Sequence, residues 1–356
     1  MSNEFRELLK KIGSGTHTGK DLTRAEAATA TEMMLLQEAT PAQIGAFAIA
    51  HRIKRPTAAE LAGMLDAYDR LFPQLETNNL PFSYPVVVFG NPYDGRDRTA
   101  PVTPITALIL AAAGVPTVMH GGDTMPTKYG IPSMEIWQGL GIDFTSLSLS
   151  QMQQLLGKTA IGFYYTPYHF SQFKDLVGYR DQIGKRPPFA TVELIWSPCR
   201  ENFHLISGFV HPPTEDRCRE TFALRGTKNY TTIKGLEGSC DLPRSRTGII
   251  GIGKSSGKGD FERLLLHPRD YGLEGKDPVL ESRDKLIGQM QEVIAGKSSE
   301  LTTSAIYNGG FYLWRFGVCG DLKASFTRAE EMLTEGKVGE KLEEVAQAIS
   351  SFSSKS

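Results

Sequence analysis

Apolar residues recur at helical spacing through the first 72 residues, with Ile44, Phe47 and Ala48 in one stretch and Leu61, Met64, Leu65 and Tyr68 in the next. The helix starts are equally legible. Thr23-Arg-Ala-Glu26, Thr40-Pro-Ala-Gln43 and Thr57-Ala-Ala-Glu60 each place a hydroxyl at the N-cap and a carboxyl or amide three residues later, the signature of a capping box. Pro41 falls at N1, where a missing N–H costs nothing. These helices are expected to pack on one another or on a later element.

Beyond the polar stretch Glu76 to Pro81 the period changes. Short apolar runs alternate with helical ones: PVVVFG, ITALILAAAG, VPTVMHGG, then a helix through MEIWQGLG. Such alternation predicts βαβ units and a mostly parallel sheet. Further strands are expected at Ala160 to Tyr165, Val192 to Trp196 and Leu205 to Val210, and an amphipathic helix near Ser325 to Glu335. The pattern divides the chain into a helical domain over 1–75, joined by a later helical segment near 168–185, and an α/β domain over 76–356. No internal repeat is evident, and the polar tail SSFSSKS is expected to fray.

Composition narrows the classes without choosing a function. The 356 residues carry 39 Lys plus Arg against 40 Asp plus Glu, so the chain as a whole has no general attraction for nucleic acid or anionic membrane. Any anion site must be local. Cys199, Cys218, Cys240 and Cys319 show no CxxC spacing, and MSNEFRELLKK lacks the apolar core of a signal peptide, which predicts a reducing, cytoplasmic setting. The longest apolar stretch, Ile105 to Met119, contains Gly114 and Pro116 and falls short of the roughly 20 residues a membrane span needs, so no membrane partner is expected.

Candidate chemistry concentrates in loops. FGNPYDGRDRTAPVT, Phe89 to Thr103, joins an expected strand to an expected helix, where α/β proteins often hold phosphate. GIIGIGKS, Gly248 to Ser255, satisfies the P-loop formula, but its isoleucines favour an extended segment over a phosphate nest. His120, with Gly121 and Gly122, ends an expected strand at the edge where ligands enter open sheets; the alternative is a histidine satisfied within a turn. Glu237 and Asp241 could offer two oxygens to Mg²⁺ or simply be solvated turn residues. Arg96 with Arg98, Lys185 with Arg186, Arg244 with Arg246, and Lys254 with Lys258 would form a cationic groove if they converged.

The segment GKDLTRAEAATATEMMLLQEATPAQIGAFAIAHRIKRPTAAELAGMLDA resembles the opening helices of anthranilate phosphoribosyltransferases. The likeness continues at AAAGVPTVMHGGD, IGFYYTP, YRDQIGKR, LLLHPRDYGL and AEEMLTEGKVGEKLEEV. It implies a nucleoside phosphorylase/phosphoribosyltransferase-like fold, a small helical domain joined to a large α/β domain, paired as a homodimer through the helical part, with ligands in the cleft between domains. The family's GTGGD loop and TxNxST segment hold phosphoribosyl pyrophosphate; here Gly90, Asp94, Gly95, Thr99 and Thr103 match, whereas Pro92, Tyr93 and Pro101 replace two glycines and an asparagine. His120 and Gly121 match the family's KHGN motif, and Arg180 the arginine near anthranilate. Of the acidic metal-binding pair Asp241 remains, beside Cys240, with Glu237 for an earlier aspartate.

Thr103-Pro104 and Gly235-Leu-Glu-Gly238 resemble a branch of paralogues that bind nucleic acid instead of transferring phosphoribosyl. The expectation is therefore a divergent member whose cleft binds phosphorylated ligands or a single-stranded nucleic-acid backbone, with transfer to anthranilate lost. Anion contacts would fall to Arg96, Arg98, Arg186, Arg244, Arg246 and Lys254. The alternative is an active phosphoribosyltransferase, with Asp94, Thr99 and Thr103 on the donor, Asp241 and Glu237 on Mg²⁺, and Arg180 orienting anthranilate or a related aromatic acceptor.

Overall fold

The computed structural model of the chain describes residues 3–15, 17–253 and 261–353. Helices α1 (Asn3–Gly13), α2 (Arg24–Leu35), α3 (Pro41–Lys54) and α4 (Ala58–Leu71) open the fold. Thr23, Thr40 and Thr57 cap α2, α3 and α4, and in each box both hydrogen bonds form. Helices α2 and α4 lie close because Gly63 has no side chain; a Cβ there would meet the Arg24 carbonyl at 2.1 Å.

The α/β domain begins with β1 (Val86–Gly90), α5 (Thr103–Ala112), β2 (Thr117–Gly121), α6 (Ser133–Gly139), α7 (Leu149–Thr159) and β3 (Ile161–Tyr165). Then α8 (Thr166–His169) and α9 (Gln172–Gln182) return towards the bundle, where α9 packs on α2 and α3. The chain continues through α10 (Phe189–Val192), β4 (Phe203–Gly208), α11 (Pro212–Arg225), β5 (Tyr230–Ile233), β6 (Gly248–Gly253) and β7 (Phe261–Leu266). Helices α12 (Arg283–Ile294), α13 (Thr302–Arg315), α14 (Leu322–Thr334) and α15 (Lys337–Ser353) end the described chain.

The seven strands form one sheet in the order β3-β2-β1-β4-β5-β6-β7, parallel from β3 to β5, with β6 antiparallel to both its neighbours. Every residue of β1 is buried, as expected of a central parallel strand covered on both faces. The Val192 to Trp196 segment differs from expectation: it is the end of α10 and the turns that follow. Its apolar run is short enough to suit either structure, and Pro187-Pro188 just before it starts a helical turn. Strands β5 (YTTI) and β7 (FERLLL) are short and lack a regular apolar–polar alternation, so their sequences do not announce a strand. Gly248 to Gly253 is extended, as its isoleucines suggest, while Lys254, Ser255 and Lys258 lie outside the described residues.

Strand order reverses between β1 and β4, so the loops leaving their carboxyl ends diverge and open a crevice. Among the described residues no helix is long and apolar enough to cross a membrane.

Candidate functional site: an interdomain cleft

A cleft of about 1360 Å³ lies at this reversal. The loop after β1 supplies Pro92, Asp94, Asp97 and Arg98, and the loop after β4 with the first turn of α11 supplies Phe209 to Thr214. The end of α3 contributes Arg52 and the turn after it Arg55, and the stretch before α10 contributes Arg186. The helical domain thus forms one wall and the sheet's loops the floor.

The floor is built around Glu237, on the turn after β5, which reaches across to the loop after β1. Its Oε1 accepts hydrogen bonds from the Thr99 N–H at 2.9 Å, the Thr99 hydroxyl at 2.7 Å and the Arg98 N–H at 3.2 Å. Its Oε2 accepts from Lys128 Nζ at 2.7 Å and from the Asp97 N–H at 3.4 Å. Burial alone would raise its pKa, but the hydrogen bonds at Asp97, Lys128 and Thr99 hold it well below the usual carboxylate range.

Arg96 closes the same floor. Its Nη1 donates to Asp241 Oδ2 at 2.8 Å and to Ser239 Oγ at 2.9 Å, and its Nε to Glu237 Oε1 at 3.4 Å. Asp241 also accepts from the Val102 N–H at 3.0 Å and the Thr103 hydroxyl at 2.8 Å. Both carboxylates suggested for Mg²⁺ are therefore neutralised from within, and among the described residues no group of three or more His, Cys, Asp or Glu side chains could hold a metal ion. The residues present do not fit Mg²⁺: a guanidinium and an ammonium stand where the ion's charge would be needed.

Asp94 anchors a second cluster. Its Oδ2 lies 3.1 Å from Arg186 Nη1 and 3.4 Å from Arg180 Nη2, and Arg180 Nη1 donates to Glu193 Oε1 at 3.1 Å. Arg180 is buried, while Arg186 is half exposed at the cleft wall. Glu193 has a pKa raised to about 7 by burial, partly opposed by Arg180 and reinforced by Asp94. Its Oε2 has no hydrogen-bond partner, which accords with a carboxyl that is easily protonated.

Tyr93 lies inside the fold, where its hydroxyl meets His120 Nδ1 and its ring packs edge-on to His120 and Phe173. His120 is buried against Trp196, with its pKa lowered to about 3 by burial. Its Nδ1 is paired with Tyr93 within the fold, while its Nε2 is buried without a hydrogen-bond partner. Gly90 and Gly95 serve backbone packing, since a Cβ would meet the Leu194 carbonyl at 2.2 Å and the Ile131 carbonyl at 2.3 Å respectively. Gly121, at the end of β2, is also buried.

The basic pairs do not all converge. Arg98 and Arg186 line the cleft, Arg96 lies beneath it, and Arg244 and Arg246 are absent from its lining. Arg244 is turned away, donating to the carbonyls of Leu273 and Glu274. Lys254 lies outside the described residues. Sequence reading missed Arg52, Arg55, Lys128, Arg217 and Glu193, all at or beneath the cleft. The cluster HRIKR at the end of α3 was the available signal for the first two.

A helical bundle walling a cleft over the loops of a mostly parallel sheet defines a two-domain class, helical bundle plus α/β sheet. Within that class the chain belongs to glycosyl transferase family 3: the family's helical bundle domain matches residues 6–71 and its a/b domain residues 94–338. The anthranilate phosphoribosyltransferase of Acetivibrio thermocellus is 25% identical over 357 residues, covering 97% of this chain and 98% of that one. An uncharacterized protein of Aquifex aeolicus is 29% identical over 320 residues, covering 88% and 94%. Among solved structures, anthranilate phosphoribosyltransferase from Saccharomyces cerevisiae in complex with PRPP and Mg superposes with a TM-score of 0.83, covering 99% of each chain. At 16% identity that likeness speaks for the fold alone.

Proposed function

We propose that the cleft binds phosphorylated ligands along its rim, the backbone of single-stranded nucleic acid being the favoured class, and that transfer to anthranilate has been lost. One observation carries this reading. Six cations, Arg52, Arg55, Arg98, Lys128, Arg186 and Arg217, line the cleft against three carboxylates, Asp94, Asp97 and Glu237. That excess of three positive charges stands out in a chain whose formal net charge is −1. Arg52, Arg55, Arg98 and Arg186 are exposed and spread along the opening, an arrangement suited to successive phosphates rather than one compact group.

Loss of transfer follows from charge. Departing pyrophosphate must be neutralised by donors, cations and Mg²⁺. Here the Thr99 and Thr103 hydroxyls, Lys128 and Arg96 are committed to Glu237 and Asp241. The second reading, an active phosphoribosyltransferase, is favoured by full-length similarity to the Acetivibrio thermocellus enzyme.

Fluorescence anisotropy with a labelled single-stranded oligonucleotide separates the two. Four phosphate contacts predict an affinity drop of about 50-fold between 50 and 200 mM salt. Salt-insensitive or absent oligonucleotide binding, together with anthranilate turnover, would establish the second reading.

A further inference from the structure

We infer that the loop after β1 is a compact anion site already filled by the chain's own Glu237, whose carboxylate takes the place of an external phosphate or pyrophosphate group. The inference rests on the reading that this cleft takes phosphorylated ligands, and it specifies which part of the cleft is closed to them.

The donors around Glu237 form the kind of set that holds an oxyanion. Three successive backbone N–H groups, from Asp97, Arg98 and Thr99, approach its oxygens together with the Thr99 hydroxyl and the Lys128 ammonium. Consecutive N–H groups converging on one point make an anion-binding concavity, and charge-assisted hydrogen bonds to it are the strong ones. The Glu237 side chain is only 4% exposed, yet the residue lines the cleft, so removing its carboxylate would leave these donors open to ligand.

The backbone is built to deliver this carboxylate. Glu237 adopts φ 54° and ψ 24°, a left-handed conformation that a non-glycine residue holds only when its surroundings compensate. Glycines flank the turn for physical reasons. A Cβ at Gly235 would meet the Ser239 carbonyl at 1.8 Å, and Gly238 has φ +80°. The segment Gly235-Leu-Glu-Gly238 is thus a tight support that pushes one acid into the loop's donors.

Charge closes the account. Arg96, Arg98 and Lys128 face Asp97, Glu237 and Asp241, three cations against three anions, all in ion-pair contact. A pyrophosphate entering this balanced cluster would have to displace Glu237 from Lys128 and from the loop's N–H groups, leaving a carboxylate buried beside it. Taking away the Glu237 carboxylate leaves one cation in excess and the N–H groups unfilled.

The test is thermal unfolding and calorimetry of the wild-type protein and Glu237→Ala with inorganic pyrophosphate in the presence of a chelator. Glu237→Ala should bind pyrophosphate at least about tenfold more tightly than wild type and gain more thermal stability from it. The gain should persist when Arg52 and Arg55 are both changed to Gln, which places it in the loop and not on the rim. Glu237→Gln, which keeps the shape and one acceptor oxygen, should show a smaller gain. Folded variants that respond to pyrophosphate as wild type does would overturn the inference. So would variants that stay unfolded even with saturating pyrophosphate, since an external anion must be able to replace the carboxylate. Oligonucleotide binding by the wild-type rim is read separately, so either reading can fail without the other.

Discussion

At the scale of single residues, buried charges decide more here than exposed ones. Glu193 keeps its proton in the folded protein up to about pH 7, whereas the unfolded chain releases it near the ordinary glutamate value of 4.5. The unfolded state therefore binds fewer protons between these values, and stability falls as pH rises through that window, by up to about 3 kcal/mol. Glu193→Gln removes this loss, so thermal unfolding from pH 4.5 to 7.5 should show the variant gaining on wild type as pH rises. A difference that does not change with pH would refute the assignment. Arg96 illustrates what sequence cannot display at this scale. It was legible as a cation in a phosphate-type loop, but its partners Glu237 and Asp241 lie 141 and 145 positions away, and only the fold shows that its charge is already satisfied.

At the scale of elements, the N-terminal helices were the most legible part of the chain because their starts are local chemistry. Thr23, Thr40 and Thr57 form the boxes their spacing announces. One of these boxes proves to be more than a cap. Glu60 is fully buried and accepts from the N–H groups of Leu22 and Thr57 and from Lys54 Nζ, at 2.8, 2.7 and 2.7 Å. Burial would raise its pKa, but His51, Lys54 and Thr57 bring it down to about 2, so its contribution is complete above about pH 4.5 and lost as pH falls towards 2. Glu60→Gln should cost about 3 kcal/mol at neutral pH, against about 1 kcal/mol for the cap variant Thr40→Ala, as read from denaturant unfolding. Equal losses would mean that Glu60 acts only as a cap. Strands were less legible, since Val192 to Trp196 offered an apolar run without a period, and the buried Thr231 and Thr232 of β5 gave no hydrophobic signal.

At the scale of the whole molecule, the cleft exists because strand order reverses between β1 and β4 and the helical domain stands over that point. Sequence indicated the sheet, the helical domain and the family, but not which basic loops meet. Arg98 and Arg186 reach the opening from segments far apart in the chain, while Arg244 and Arg246 do not line it. Convergence of this kind is set by topology, to which residue spacing is blind. The central claim is that the floor is internally neutralised and phosphate is met at the rim. Its most direct test is isothermal calorimetry of the purified protein with phosphoribosyl pyrophosphate, with and without Mg²⁺. The account predicts weak binding that Mg²⁺ does not strengthen and that disappears in moderate salt; tight, saturable, Mg²⁺-dependent binding would contradict it.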